Sequence, residues 1–104
     1  MGNPNHETGV KTTVRQKLKV KKPKLYRVIL LNDDYTPMDF VVSILESIFG
    51  KVPAEAVQIM LKVHNQGRGV CGIYPKEVAE AKINLVHRKA DQSGYPLRAA
   101  MEPE

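Results

Sequence analysis

Three groups of residues have types and spacings that could do chemistry. Asn32-Asp33-Asp34 puts three acceptor side chains in a row. Such a cluster would make a negative, hydrogen-bonding mouth suited to a cation or an amine, because carboxylates accept charge-assisted hydrogen bonds from ammonium donors. The same triplet is also ordinary turn material, since Asn and Asp satisfy nearby backbone groups with their own side chains. A Mg²⁺ or Ca²⁺ site would need a fuller oxygen shell than two adjacent carboxylates supply. The second group is His64 with Met60 one helical turn before it and Val63 adjacent. This spacing sets an imidazole at the rim of an apolar surface. The competing reading is a histidine at a helix C-terminus, favoured there by the helix dipole.

The third group is a basic stretch. The 104-residue chain carries a formal charge of +5, which would suit a nucleic-acid partner if it were spread over a folded surface. It is not. Residues 1–24 hold seven Lys and Arg against Glu7, a charge of +6, and the remaining residues hold nine against ten, a charge of −1. Val10, Val14, Leu18 and Val20 are the large apolar residues of that stretch apart from Met1, too few to offset the entropy of ordering it. Residues 1–24 are therefore expected to be a disordered basic extension, and residues 25–104 the folded domain. The extension could simply be solvated. It could also bind a polyanion by electrostatics, with affinity falling as salt rises, although it has no aromatic residues on which bases could stack.

The folded part reads as alternating short elements. Leu25-Tyr26-Arg27-Val28-Ile29-Leu30-Leu31 is a mostly buried strand ended by the Asn-Asp-Asp turn. Thr36-Pro37-Met38-Asp39 has the chemistry of a helix start: a capping hydroxyl, a proline for the first position and a carboxylate at the third. Met38, Val41, Val42, Leu45, Ile48 and Phe49 follow at helical spacing, with Gly50 as the stop. Pro53 opens a second helix ended by Asn65-Gln66-Gly67, and Val70-Cys71-Gly72-Ile73-Tyr74 is a second strand. Pro75 begins a third helix running to about Arg88. Asp91-Gln92-Ser93-Gly94 then turns into a last edge strand, Tyr95 to Met101, with residues 102–104 frayed. The order β-α-α-β-α-β predicts an α+β sandwich, three mostly antiparallel strands packed by three helices.

If the first two helices lie side by side, Met38, Val41, Met60 and Val63 would line a cavity with Asn32 and His64 at its entrance. Methionine suits such a wall because it is unbranched and polarisable. The plainer reading packs the same residues into the core. No apolar run approaches the ~18–20 residues of a membrane span, and residues 1–24 lack the apolar core of a secretory signal. Cys71 is the single cysteine, so no internal disulfide forms. With His6, His64 and His87 scattered, a zinc finger is excluded. A reducing cytosol is the expected compartment.

Three blocks now combine. They are Tyr26-Arg27-Val28-Ile29-Leu30-Leu31-Asn32-Asp33-Asp34-Tyr35-Thr36-Pro37-Met38, then Met60-Leu61-x-Val63-His64-x-x-Gly67, then Glu77-Val78-Ala79-Glu80-x-Lys82. Across about residues 25–101, in this order and at this spacing, they closely resemble the bacterial ClpS adaptor family, and N-D-D-x-T-P-M is the most specific run among them. The resemblance implies a non-enzymatic, cytoplasmic, monomeric adaptor without cofactor or metal. It would bind the exposed N-terminus of a protein whose first residue is Leu, Phe, Tyr or Trp. It would then hand that N-degron substrate to the ClpAP protease by docking on the N-terminal domain of the AAA+ unfoldase ClpA.

By the same resemblance, Asn32 and His64 hydrogen-bond the substrate's α-amino group, and Asp33 and Asp34 add acceptors or negative potential. Thr36, Met38, Val41, Met60, Val63 and Leu97 form the side-chain pocket. Glu77 and Lys82 face the unfoldase, and the extension serves delivery rather than docking. The rivals are a small basic nucleic-acid-binding protein and a metal-assisted hydrolase using Asp33, Asp34 and His64.

Overall fold

The computed structural model describes residues 22–104. All but the last three residues of the basic extension lie outside this range, as does most of the charge that suggested a polyanion partner. The elements are β1 (Leu25–Leu31), α1 (Met38–Ser47), α2 (Pro53–Gln66), β2 (Arg68–Pro75), α3 (Lys76–Ser93) and β3 (Arg98–Pro103). The predicted α+β sandwich is the observed fold, and every strand pairing is antiparallel, in the order β2-β1-β3.

The most apolar strand takes the centre. Because strand side chains alternate between faces, Val28 and Leu30 point under the helices, where both are fully buried. There they meet Val41, Ile44 and Leu45 of α1, Ala56, Met60 and Val63 of α2, and Ala79, Val86 and Ala90 of α3. Arg27, Ile29 and Leu31 take the helix-free face. Ile29 is still buried, and Arg68 of β2 reaches Glu102 of β3 at 2.8 Å across β1. The β1–β2 register slips between Val28 and Ile29, leaving Cys71 as the extra residue of a bulge that turns it into the core. Burial pushes its thiol up to about 12, so Cys71 acts as a small apolar core residue.

Several expected boundaries shift, each for a local reason. Thr36 does not cap α1. Pro37 occupies the cap position with no side-chain bond, because the Thr36 hydroxyl is committed to Asp33. The regular part of the first helix stops at Ser47, and Gly50 supplies the expected stop: it is left-handed (φ 63°), the Lys51 N–H returns to the Leu45 carbonyl at 3.1 Å, and the Lys82 ammonium adds a bond to the Ile48 carbonyl at 2.8 Å. The third helix runs through the expected Asp91–Ser93 turn. Ala90 is buried against the core, and the first residue able to take the left-handed conformation is Gly94 (φ 77°). The last strand begins at Arg98 rather than Tyr95, since Tyr95 packs edge-on against Phe40 and Leu97 sinks into the core. Its end is not frayed. Met101 to Pro103 pair with β1, and the Glu104 N–H donates to the Leu25 carbonyl at 3.0 Å.

Close packing of α2 on β2 depends on Gly69. A Cβ there would lie 2.8 Å from Val63 Cγ2 and 3.3 Å from the Ile59 carbonyl oxygen. Gly69→Ala is expected to destabilise the fold by about 1–3 kcal/mol, the range for overpacking. An unchanged urea-denaturation midpoint would show that the helix yields without cost.

Candidate functional site

A cavity of about 380 Å³ opens where the loop after β1 faces the C-terminal half of α2. Its lining includes Asn32, Asp33, Asp34 and Thr36 from the loop, Met38 and Val41 from α1, and Met60, Val63 and His64 from α2. The structure thus brings together nine of the ten residues expected at the amine mouth and side-chain pocket. The tenth, Leu97, lies one layer deeper. It is buried, and with Val41 and Val63 it lines a crevice of about 10 Å³ continuing from the same loop.

The walls grade from dry to wet. Val41, Met60 and Val63 are core residues whose outer surfaces form the floor, while Met38, 44% exposed, stands at the lip. Helical spacing accounts for this: Met38 and Val41 lie three apart on α1, and Met60, Val63 and His64 share one face of α2. Val41, Met60 and Val63 thus pack in the core and line the cavity at once, whereas Met38 lines the cavity without joining the core. His64 sits exposed in the last turn of α2, where the helix dipole favours it and where it also borders the cavity.

One backbone contact fixes the mouth. The Asn32 N–H donates to the Gly67 carbonyl at 2.9 Å, tying the end of β1 to the end of α2. Gly67 ends the helix at φ 88° with its own N–H on the Val63 carbonyl, a left-handed conformation that glycine reaches without steric cost. Asn32 and His64, distant in the chain, are thereby held at one rim.

Asp33 braces the loop from within. One of its carboxylate oxygens accepts the Tyr35 N–H at 2.8 Å and the Thr36 N–H at 2.7 Å, and the other accepts the Thr36 hydroxyl at 2.8 Å. Three of roughly four acceptor positions are thus filled internally, while Asp34 stays exposed at the mouth. Partial burial pushes the Asp33 carboxyl up. The hydrogen bonds from Thr36 and Tyr35 outweigh it and hold the group below the usual carboxylate range. Asp33 thus serves the turn, while Asp34 lies exposed at the cavity mouth. Among the described residues no group of three or more His, Cys, Asp or Glu side chains is placed to hold a metal ion.

Glu77 and Lys82 lie elsewhere. Glu77 is exposed in the first turn of α3, beside Tyr26 and Val78, at the opposite end of β1. Lys82 is half-buried. Its ammonium, bonded to the Ile48 carbonyl, lies 5.8 Å from the Phe49 ring centre and 5.1 Å from that of Tyr74, within range of a cation–aromatic attraction. Tyr35 and Pro37 also line the cavity, where the sequence marks Pro37 only as a helix start and Tyr35 only as part of a motif. Their position inside the Asn32–Met38 run was the available signal.

Comparison with known proteins places these features in context. Residues 21–100 match the family described as ATP-dependent Clp protease adaptor protein ClpS. The ClpS adapter protein of Wolinella succinogenes is 56% identical over 91 residues, covering 88% of this chain and 89% of that protein. The one from Acetivibrio thermocellus is 54% identical over 96 residues, covering 90% and 97%. The structure of Agrobacterium tumefaciens ClpS2 bound to L-phenylalaninamide superimposes with a TM-score of 0.77 at 36% identity, covering 80% of this chain and all of that one.

The Asp33 brace has a readable consequence. Because its folded-state pKa lies below the ordinary 3.8, its contribution is complete above that value and is lost as pH falls through the folded pKa. Hydrogen exchange at the Tyr35 and Thr36 N–H groups is expected to stay slow at about pH 5 in the native protein and to speed up in Asp33→Ala. That variant should also lose about 1–2 kcal/mol of stability, the scale of a deleted capping side chain. Equal exchange in the two proteins would remove the brace.

Proposed function

The chain belongs to the ClpS family of ATP-dependent Clp protease adaptors, and from that membership we propose that it captures proteins by a free N-terminus bearing Leu, Phe, Tyr or Trp. It delivers them, as a cytoplasmic monomer, to a ClpA-type AAA+ unfoldase of the ClpAP protease. Members of the family are protease adaptors rather than enzymes, so the chemistry to be accounted for is recognition.

The observation that carries this reading is the graded cavity, apolar at its floor and rimmed by Asn32 and His64, two side chains held together by the Asn32–Gly67 bond. In this reading the α-ammonium donates to Asn32 and His64 within the negative potential of Asp33 and Asp34, and the first side chain fills the space walled by Thr36, Met38, Val41, Met60, Val63 and, behind them, Leu97. The related A. tumefaciens ClpS2 structure was solved with L-phenylalaninamide, a free α-amine attached to one aromatic side chain, which supports the same division of labour.

Magnitudes require both halves. Burying one large apolar side chain contributes ~1.5–3 kcal/mol, and each hydrogen bond to a charged group a similar ~1.5–3 kcal/mol. Micromolar binding needs about 8 kcal/mol net of the cost of association. Internal Leu or Phe residues, lacking the amine, are ignored.

Delivery uses other surfaces. Glu77, exposed on α3, is read as facing the unfoldase's N-terminal domain. Lys82 supports that surface by joining α3 to the end of α1. Residues 1–24 form a separate extension from the domain of residues 25–104 and act in delivery rather than in cargo binding.

Two measurements test this. In a fluorescence-anisotropy titration, a peptide beginning with Phe should bind with its amine free and lose binding when acetylated. His64→Ala should weaken the free form by about 1–3 kcal/mol, and equal affinity for capped and free peptides would overturn the reading. Deleting residues 1–24 should leave peptide affinity intact and slow degradation by ClpAP. Collapse of peptide affinity would instead place part of the extension in the binding domain.

A further inference from the structure

Tyr35 differs from every other aromatic residue of the chain. Phe40, Phe49, Tyr74 and Tyr95 are buried or half-buried and pair ring to ring, and Tyr26 is half-buried against the core. Tyr35 is 80% exposed, the most exposed large apolar side chain among the described residues, and it borders the cavity mouth. It does not ride on a loose loop tip. Its N–H is held by Asp33, whose carboxylate also fixes Thr36, so the ring is presented from a set backbone position. Beside it stands the exposed carboxylate of Asp34, at the same mouth.

A chain seated with its amine at Asn32 and His64 and its first side chain on the cavity floor has to leave through this mouth, where the loop side of the rim is Asp34 and Tyr35. We propose that Tyr35 is a specificity-determining residue for the second position of the cargo, offering its ring face to the second side chain and favouring arginine there. This inference rests on the N-terminal reading of the cavity. Arginine matches both neighbours, since a guanidinium stacks on an aromatic face and pairs with a carboxylate. A glycine at that position meets neither. The exposed setting limits the preference to about two- to fivefold, the range of a solvated cation–aromatic contact.

The test uses the full chain with three ligands: phenylalaninamide, which has no second residue, and two peptides beginning Phe-Arg and Phe-Gly that are otherwise identical. The native protein should hold Phe-Arg about two- to fivefold tighter than Phe-Gly. Tyr35→Phe should keep that ratio, because the ring and not the hydroxyl carries it. Tyr35→Ala should lower the ratio toward one, leaving only what the Asp34 carboxylate sustains, with phenylalaninamide affinity unchanged, which also reports that the variant is folded. A native ratio of one, or a ratio that survives Tyr35→Ala undiminished, overturns the proposal. Loss of phenylalaninamide binding in Tyr35→Ala alone would assign Tyr35 to the first-residue cavity and equally overturn it. Failure of the native protein to hold phenylalaninamide would sink the N-terminal reading itself.

Discussion

The Asn32 N–H and the Gly67 carbonyl, 2.9 Å apart, join the end of the central strand to the end of the second helix, and the site is arranged around that junction. Each partner is available for a structural reason. β1 ends at Leu31, so the next N–H is free of the ladder, and α2 ends in a left-handed glycine whose carbonyl turns away from the helix axis. Leu31 already pairs with Arg68 in the β1–β2 ladder, and this bond carries the pairing one step further, to the acidic loop and the turn after His64. With it they form one rim, and two modest sets of contacts can act on the same ligand at once.

The cavity stays open because its floor is already supported from below. Val41 and Val63 are packed by the core on one side and form the cavity wall on the other, so the apolar surface exists before any ligand arrives. Little is then lost on binding to ordering the protein, which matters when the net affinity is a small remainder of opposing terms. Asp33 does for the loop what the core does for the floor. It gives up most of its accepting capacity to three donors of its own loop and leaves Asn32, Asp34 and His64 to face outward. An adaptor needs this kind of preformed recognition with no bond-breaking machinery. The rest of the fold keeps a second region, around Glu77 and the Lys82 junction, well away from the mouth.

Much of this was legible in the chain. The apolar run at Leu25–Leu31, the prolines at the starts of α2 and α3 and the glycine after Gln66 located the elements, because each acts through its own backbone. Two local expectations gave way to other contacts. Thr36 has the chemistry of a cap, yet its hydroxyl is held by Asp33. Asp91 to Ser93 have the composition of a turn, yet burial of Ala90 carries the helix through them. In the first case a carboxylate three residues away, and in the second the buried core, displaced the expected role.

By itself, then, the sequence determined the fold class, the order of elements and the two short blocks that hold the site, since periodicity and residue type act over a few neighbours. Tertiary structure alone decided that those blocks share one cavity, that Asp33 faces inward and Asp34 outward, that Leu97 lies a layer behind the wall, and that Lys82 ties α3 to α1. Apart from Asp33, whose bonds run to Tyr35 and Thr36 two and three residues on, such assignments depend on hydrogen bonds and packing between residues far apart in the chain, and no local pattern records which of several capable partners a side chain meets.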